Sequence, residues 1–376
     1  MAQAGGFELQ TLDTSMMYAD GNTGSISIAD INASVSGTRN GVTVDTVKDQ
    51  RVTNIGFKMD AGVVDLGLYT CRSGAIQLSG GNDMTDNYAP TGDIDINSTT
   101  LMASYDLNEN ISFLGGITQN SLTSGNVTTI KGGYDVKGAS STGYVLGAAY
   151  SIPDIAFRAE VLYQPASKIK TKTRYDGSAQ TAFSAGVYAQ TLAGGGTQAQ
   201  ALTASQNAAA GANLLTGDYD TELSRPESLT INVQSGIAAD TLLFASYHRA
   251  KWSGAPVLVD VASAAGGAID PKIDETFDDS EKFSIGVGRK FSERLSGSLS
   301  YSKEEGSGAD ATSLFTFSNG TETISAGLRY TIDNMDISVG VSRSTLGDVT
   351  VDGGAGPIAY KGNSVTAMGV KVAFAF

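Results

Sequence analysis

The sequence is short of the residues on which most soluble chemistry depends. Of its 376 residues one is cysteine, Cys71, and one is histidine, His248. That excludes a disulfide scaffold, a cysteine-based zinc site and any multi-histidine metal site. Charged residues make up only 17%, against about 25% in an ordinary soluble domain. The charge present leans acidic, 25 Lys+Arg against 39 Asp+Glu for a net −14. This argues against nucleic acid as a partner, because phosphate binding needs clustered cations that release counterions. No run approaches the ~18 consecutive apolar residues of a membrane-spanning helix. No glycine loop lies between a strand and a helix to cradle phosphate, and no cofactor is expected. The abundant residue is glycine, at 46, well above its usual share of about 7%. With 41% hydrophobic residues the chain has ample material for order, thinly spread.

That material alternates with a period of two. At the C-terminus Thr366, Met368, Val370, Val372, Phe374 and Phe376 are interleaved with Ala367, Gly369, Lys371, Ala373 and Ala375. The runs 324–332, 283–290, 52–59 and 155–164 follow the same rule, and helical spacing fits none of them. A soluble sandwich would show water a face rich in Lys, Glu and Thr. Here the second face is mostly Gly, Ser and Ala, which suits the crowded interior of a closed barrel. Alternating segments of about ten residues are the signature of outer-membrane barrels, in which every backbone group must be paired. Short polar breaks at 106–110, 152–154, 238–240, 292–294 and 333–334 read as periplasmic turns. Long polar stretches at 70–92, 120–140, 176–227, 261–279 and 347–363 read as outer loops.

The expectation is therefore an all-β fold, a transmembrane antiparallel barrel of about fourteen strands. It begins near Thr23 and ends at Phe376, with both termini on the periplasmic side. Residues 1–24 are expected to form an N-terminal plug and residues 25–376 the barrel. Within it, 181–215 stands apart: it is rich in Ala, Gly and Gln and can carry short helices with Leu192, Ala199, Leu202, Ala208 and Leu214 on an apolar face. It reads as a large extracellular loop or as a low-complexity insert. Tyr105, Tyr150, Tyr163, Tyr247, Tyr301, Tyr330 and Phe376 fall near strand ends, as interface girdles do, and as β propensity alone would also place them. Ala2-Gln3-Ala4 has the form of a signal-peptidase site. It points to export to a Gram-negative outer membrane by a cleaved signal peptide absent from this sequence, with chance occurrence as the alternative.

Specific strings then resemble one family. Gly5-Gly6-Phe7-Glu8-Leu9-Gln10 is similar to the mature N-terminus of FadL-type outer-membrane long-chain fatty-acid transporters, the group that includes TodX-like channels. Phe157-Arg158-Ala159-Glu160-Val161, Leu223-Ser224-Arg225-Pro226-Glu227-Ser228-Leu229, Lys251-Trp252-Ser253 and Ala373-Phe374-Ala375-Phe376 resemble further family segments in the right order. The resemblance implies passive uptake of hydrophobic compounds, most of all long-chain fatty acids, through a barrel plugged by an N-terminal hatch, with exit through the wall at a kinked strand. Outer-membrane lipid and lipopolysaccharide would surround a monomer. The hatch is shorter than the family's and lacks its Asn-Pro-Ala string, which leaves open a wider lumen or a plug from another loop.

A fatty acid needs an apolar slot and a cation or donors for its carboxylate. Strand parity turns Lys58, Asp65, Arg158, Glu160, Lys290, Arg329 and Lys371 inward. The candidate ligand-binding residues are Lys58, Arg158, Glu160, Arg329 and Lys371, with Phe7, Leu9 and Leu12 from the hatch. The competing reading is that these charges pair among themselves, Arg158 with Glu160 for instance, and that the hatch residues simply pack against the wall. Lys168, Lys170, Lys172 and Arg174 share a strand face, as an anion or lipopolysaccharide contact or as a solvated extension. Asp270, Asp274, Asp278 and Asp279 lack the order of a calcium loop. His248 has serines nearby but no identifiable orienting group, so no enzyme is expected. A polar-solute porin and a surface adhesin or phage-contact protein acting through residues 181–215 are the alternatives. The outward apolar face predicts that the purified chain needs detergent or lipid to remain monodisperse in size-exclusion chromatography. Monodispersity in plain buffer would contradict it.

Overall fold

Alternation becomes curvature in a computed structural model, which describes residues 7–80, 89–129, 131–176, 178–212, 217–261, 272–306, 308, 310–311, 313–352 and 356–376. Fourteen strands form the wall. They are β1 (Thr23–Ser34), β2 (Gln50–Asp60), β3 (Val64–Ser79), β4 (Thr91–Asp106), β5 (Ile111–Leu122), β6 (Ala139–Ile152) and β7 (Phe157–Gln164). They continue with β8 (Glu227–Ala238), β9 (Thr241–Lys251), β10 (Ser280–Lys290), β11 (Leu295–Glu304), β12 (Thr321–Ile332), β13 (Met335–Leu346) and β14 (Ser364–Ala375). Each pairs antiparallel with the next, and β1 closes on β14 from Thr23↔Ala375 to Ser34↔Ser364. Closure removes both sheet edges, as a wall in hydrocarbon requires.

The outward face is apolar around the ring. Ile324 and Met368 are each 60% exposed, and Ile28, Phe57, Leu101, Phe113, Leu146, Phe283 and Leu299 are exposed with them. Large apolar side chains stay at a water-facing surface only if that surface meets lipid or a partner. Of the strand-end aromatics, Tyr105, Tyr150, Tyr163, Tyr301, Tyr330 and Phe376 are exposed on the same face. At one end the strands join through short turns. Asn108 Oδ1 accepts the amides of Asn110 and Ile111 at 2.9 Å, and Asp240 and Asp333 take φ of +57° and +50°, a region short polar residues tolerate best.

At the other end the strands run on into tall hairpins. The stretch 70–92, expected as a loop, is strand to Ser79 and again from Thr91. The reason is a bulge between Arg72 and Gly74, which flips the side-chain parity of β3. Leu66 and Leu68 are exposed on the outside below it, whereas Ile76 and Leu78 are buried above it. Likewise Gly217–Arg225 pairs with Ser167–Tyr175 inside the expected loop 176–227. Helices α1 (Ser178–Ala193) and α2 (Gln198–Ala212) lie between these two strands. Ala201 is buried, Leu192 and Leu202 are exposed, and Leu214 lies outside the described residues. A second small sheet of five short strands, from 36–39, 42–45, 310–311, 349–351 and 358–360, sits above the mouth.

Two apolar clusters organise the interior. The larger gathers Phe7, Ile76, Ile94, Trp252, Phe277, Phe315, Phe317, Ile358 and Tyr360 at the long-loop end. The smaller packs Leu12, Met16 and Met17 against Tyr69, Cys71, Met102, Leu114, Val145 and Leu162 on the wall. Gly67 makes room for the latter, since a Cβ there would collide with the Met17 sulfur.

Candidate functional site

The ladder between β2 and β3 runs only from Asp60↔Asp65 to Ile55↔Thr70. Beyond it Gln50 and Arg51 still pair with β1, and Cys71 to Ser79 still pair with β4, but not with each other. The two chains meet again only at Val47↔Leu78. An interruption in the wall leaves backbone groups without partners, and buried backbone groups are costly when unpaired. Those of β3 are satisfied from inside. Leu9 N–H donates to Ser73 O at 2.9 Å, Ala75 N–H donates to Phe7 O at 3.2 Å, and Glu8 bridges to Gly74. Gly74 permits this approach, since a Cβ would lie 3.1 Å from Phe7 O. On the outside the Arg72 guanidinium spans the gap, with Nη1 donating to Arg51 O at 3.2 Å and Nη2 2.6 Å from Asp95.

From that strand the hatch continues down the wall of β2, β3 and β7. Glu160 is its anchor: Oε1 accepts the Thr14 hydroxyl at 2.8 Å and the Tyr18 phenol at 2.6 Å, and Oε2 accepts Asn232 Nδ2 at 2.8 Å. Burial and the Glu160 charge push the Tyr18 phenol well above its ordinary range, so it remains a donor. Arg158 does not pair with Glu160, one of the options open from sequence. Glu160 accepts from the hatch and Asn232, and Arg158 lies 4.0 Å over the Tyr18 ring, with Nη2 donating to Gln234 at 3.3 Å. Lys58 is buried, 2.9 Å from Asp65, and donates to Ala19 O at 2.5 Å. Lys371 reaches Asp13 at 3.6 Å. Arg329 is separate, near the short turns, 3.6 Å from Asp336. Four of these charges, Lys58, Arg158, Glu160 and Lys371, contact the hatch.

Beside the hatch lies a cavity of about 670 Å³, lined by Leu9, Leu12, Arg158, Glu160, His248 and Lys282 among others. Phe7 does not line it. It is buried in the aromatic cluster above, its ring centroid 4.9 Å from Phe277, 6.1 Å from Trp252 and 6.3 Å from Phe315. Two residues here were not singled out from sequence as ligand contacts. Lys282 faces the cavity, in the same parity as Ser280 and Ser284. Arg225 lies at the end of a loop strand and reaches β3, β4 and β5, where Nη1 contacts Ser73 Oγ at 2.9 Å, Ser98 Oγ at 2.8 Å and Asn120 Oδ1 at 2.7 Å. Its place in Leu223-Ser224-Arg225-Pro226 was visible; its reach was not.

His248 Nδ1 lies 2.8 Å from Thr230 Oγ1 and Nε2 lies 3.1 Å from Glu8 Oε2. Ser253, one of the serines near His248 in sequence, is bonded to Asp279. The basic strand face is matched by acids across the hairpin, Lys168 with Glu222 and Lys172 with Asp220. Among the described residues no group of three His, Cys, Asp or Glu could hold a metal; Asp270 lies outside them. The hatch anchor predicts that Glu160→Ala, which strands one buried and two half-buried donors, costs about 3 kcal/mol and speeds amide exchange across residues 14–18. Unchanged exchange there would contradict the assignment.

Neither a family model nor a curated protein matches the sequence. Solved structures do match the fold. A FadL homologue from Pseudomonas aeruginosa superposes with a TM-score of 0.71 at 12% identity, covering 96% of this chain and 92% of that one. The toluene transporter TodX of P. putida gives 0.63 at 12%, with 96% and 92% covered. The toluene transporter TbuX of Ralstonia pickettii gives 0.60 at 12%, with 96% and 90% covered. At such identities the likeness is one of fold, and on it the chain has the barrel fold of the FadL homologue and the toluene transporters.

Proposed function

We propose that this chain is a passive channel for uptake of hydrophobic compounds across a bacterial outer membrane, with long-chain fatty acids as cargo. In this reading the exposed apolar band spans the membrane, the short turns face the periplasm and the long loops face outward. A single chain closes the barrel, so the monomer is the functional unit. The outward charges just beyond the apolar band, Arg51 with Asp30 and Arg72 with Asp95, suit contact with lipopolysaccharide head groups.

The observation that carries the reading is the interrupted β2–β3 ladder backed by the hatch. Water-soluble cargo has no use for a gap in a lipid-facing wall; hydrophobic cargo does. It would enter through the aromatic cluster around Phe7 and Trp252, displace the hatch strand and leave sideways between Gln50 and Ala75. The FadL homologue and the toluene transporters that share the fold point to hydrophobic compounds in general. A carboxylate is favoured by Arg158 and Lys282, which face the cavity and have no ion pair among the described residues.

Trp252 is the only tryptophan, so its fluorescence reports the aromatic cluster directly. Oleate is expected to bind the detergent-solubilised protein saturably, and Phe7→Ala to weaken it about tenfold through lost apolar contact. No fluorescence change and no binding by calorimetry would contradict the assignment.

A further inference from the structure

Glu8 is the one charged residue of the hatch strand that backs the wall interruption, and its half-buried carboxylate points into the barrel. It lines the mid-barrel cavity together with His248 and Lys282. A carboxylate only accepts, so His248 Nε2 donates in the 3.1 Å contact, while Nδ1 lies 2.8 Å from the Thr230 hydroxyl. Burial opposes ionisation of Glu8. The hydrogen bond and charge of His248, with the charges of Arg225 and Lys282, outweigh it and hold the carboxyl below its usual range. Arg225 itself contacts Ser73, the residue whose carbonyl accepts from Leu9. The anion site and the strand pairing that covers the gap therefore share their residues.

The site is built for one carboxylate, and the chain supplies that carboxylate from its own hatch. We propose that Glu8 is an internal stand-in for the carboxylate of an amphipathic cargo. A carboxylate arriving in the cavity takes the place of Glu8 on His248, with Lys282 lining the same cavity. Glu8 withdraws, the Leu9–Ser73 and Ala75–Phe7 hydrogen bonds part, and the interruption between β2 and β3 is uncovered. One anion replaces another, so no buried charge is left unpaired during the exchange. A cargo of the same length without a carboxylate enters the cavity and leaves the hatch in place. This rests on the uptake reading above and adds how the gap is gated and which head group gates it.

Cys71 is the only thiol; it is buried against the hatch near Leu12 and Met17, so its alkylation by a water-soluble maleimide reports hatch release. Oleate and oleyl alcohol are compared on the wild type, Glu8→Gln and Lys282→Met, with Trp252 fluorescence reporting binding. Oleate is expected to speed Cys71 labelling about tenfold in the wild type, while oleyl alcohol binds without doing so. Glu8→Gln should label fast with no ligand. Lys282→Met should weaken oleate about tenfold and leave oleyl alcohol unchanged. Equal acceleration by both ligands, wild-type labelling in Glu8→Gln, or equal loss of both ligands in Lys282→Met overturns the stand-in while leaving the uptake reading intact. If neither ligand binds the wild type, both fall.

Discussion

A strand in a membrane wall must find a partner for every amide and carbonyl along its length, and in this protein one strand loses its neighbour partway. Above Thr70, β3 no longer pairs with β2. The Phe7–Leu9 segment lies where β2 would have been, on the lumenal side, and supplies the missing hydrogen bonds. Much else follows from this substitution. The hatch is held at one end by the backbone of β3, in the middle by Glu160 and at the other end by Lys58, so it stays against one sector of the wall rather than filling the lumen.

The same strand shows how one chain serves two solvents. Below the bulge β3 turns leucines toward lipid; above it, isoleucine and leucine turn inward to the apolar cluster beneath the loops. A single inserted residue achieves the inversion, because side-chain parity in a strand is two. Ser73, the inserted residue, is also where Arg225 and Leu9 converge. A change of face, the end of pairing with β2 and the hatch contact thus coincide at one place.

The barrel was legible in the sequence because its physical cause is local. Alternation in runs such as 324–332 and 364–376 fixes which side meets lipid, and short polar breaks fix where the strands turn. The inward charges followed from the same parity. Their partners did not, since Lys58 with Ala19, Glu160 with Thr14 and Tyr18, and Arg225 with Asn120 join residues 39 to 146 positions apart. The Arg158–Glu160 pairing, one option open from sequence, is absent for that reason: sequence shows two opposite charges on one face, but not the hatch that claims one of them. The extent of β3 past Thr70 was hidden by its bulge, which breaks the alternation on which the reading relied. Gly115, Gly116 and Gly67, wall glycines at which a strand could kink, are paired on both sides. The interruption sits instead at Cys71–Ala75, where the sequence offers only one glycine and a change of phase.

The central contact is the hatch strand as hydrogen-bonding partner of β3. Hydrogen exchange read by mass spectrometry in lipid nanodiscs tests this directly, comparing the full chain with one lacking residues 1–12. The amides of residues 73–76 should lose protection on truncation, while those of 66–70, paired with β2, keep theirs. Equal protection of both stretches in the two proteins would show that β3 needs no partner from the hatch.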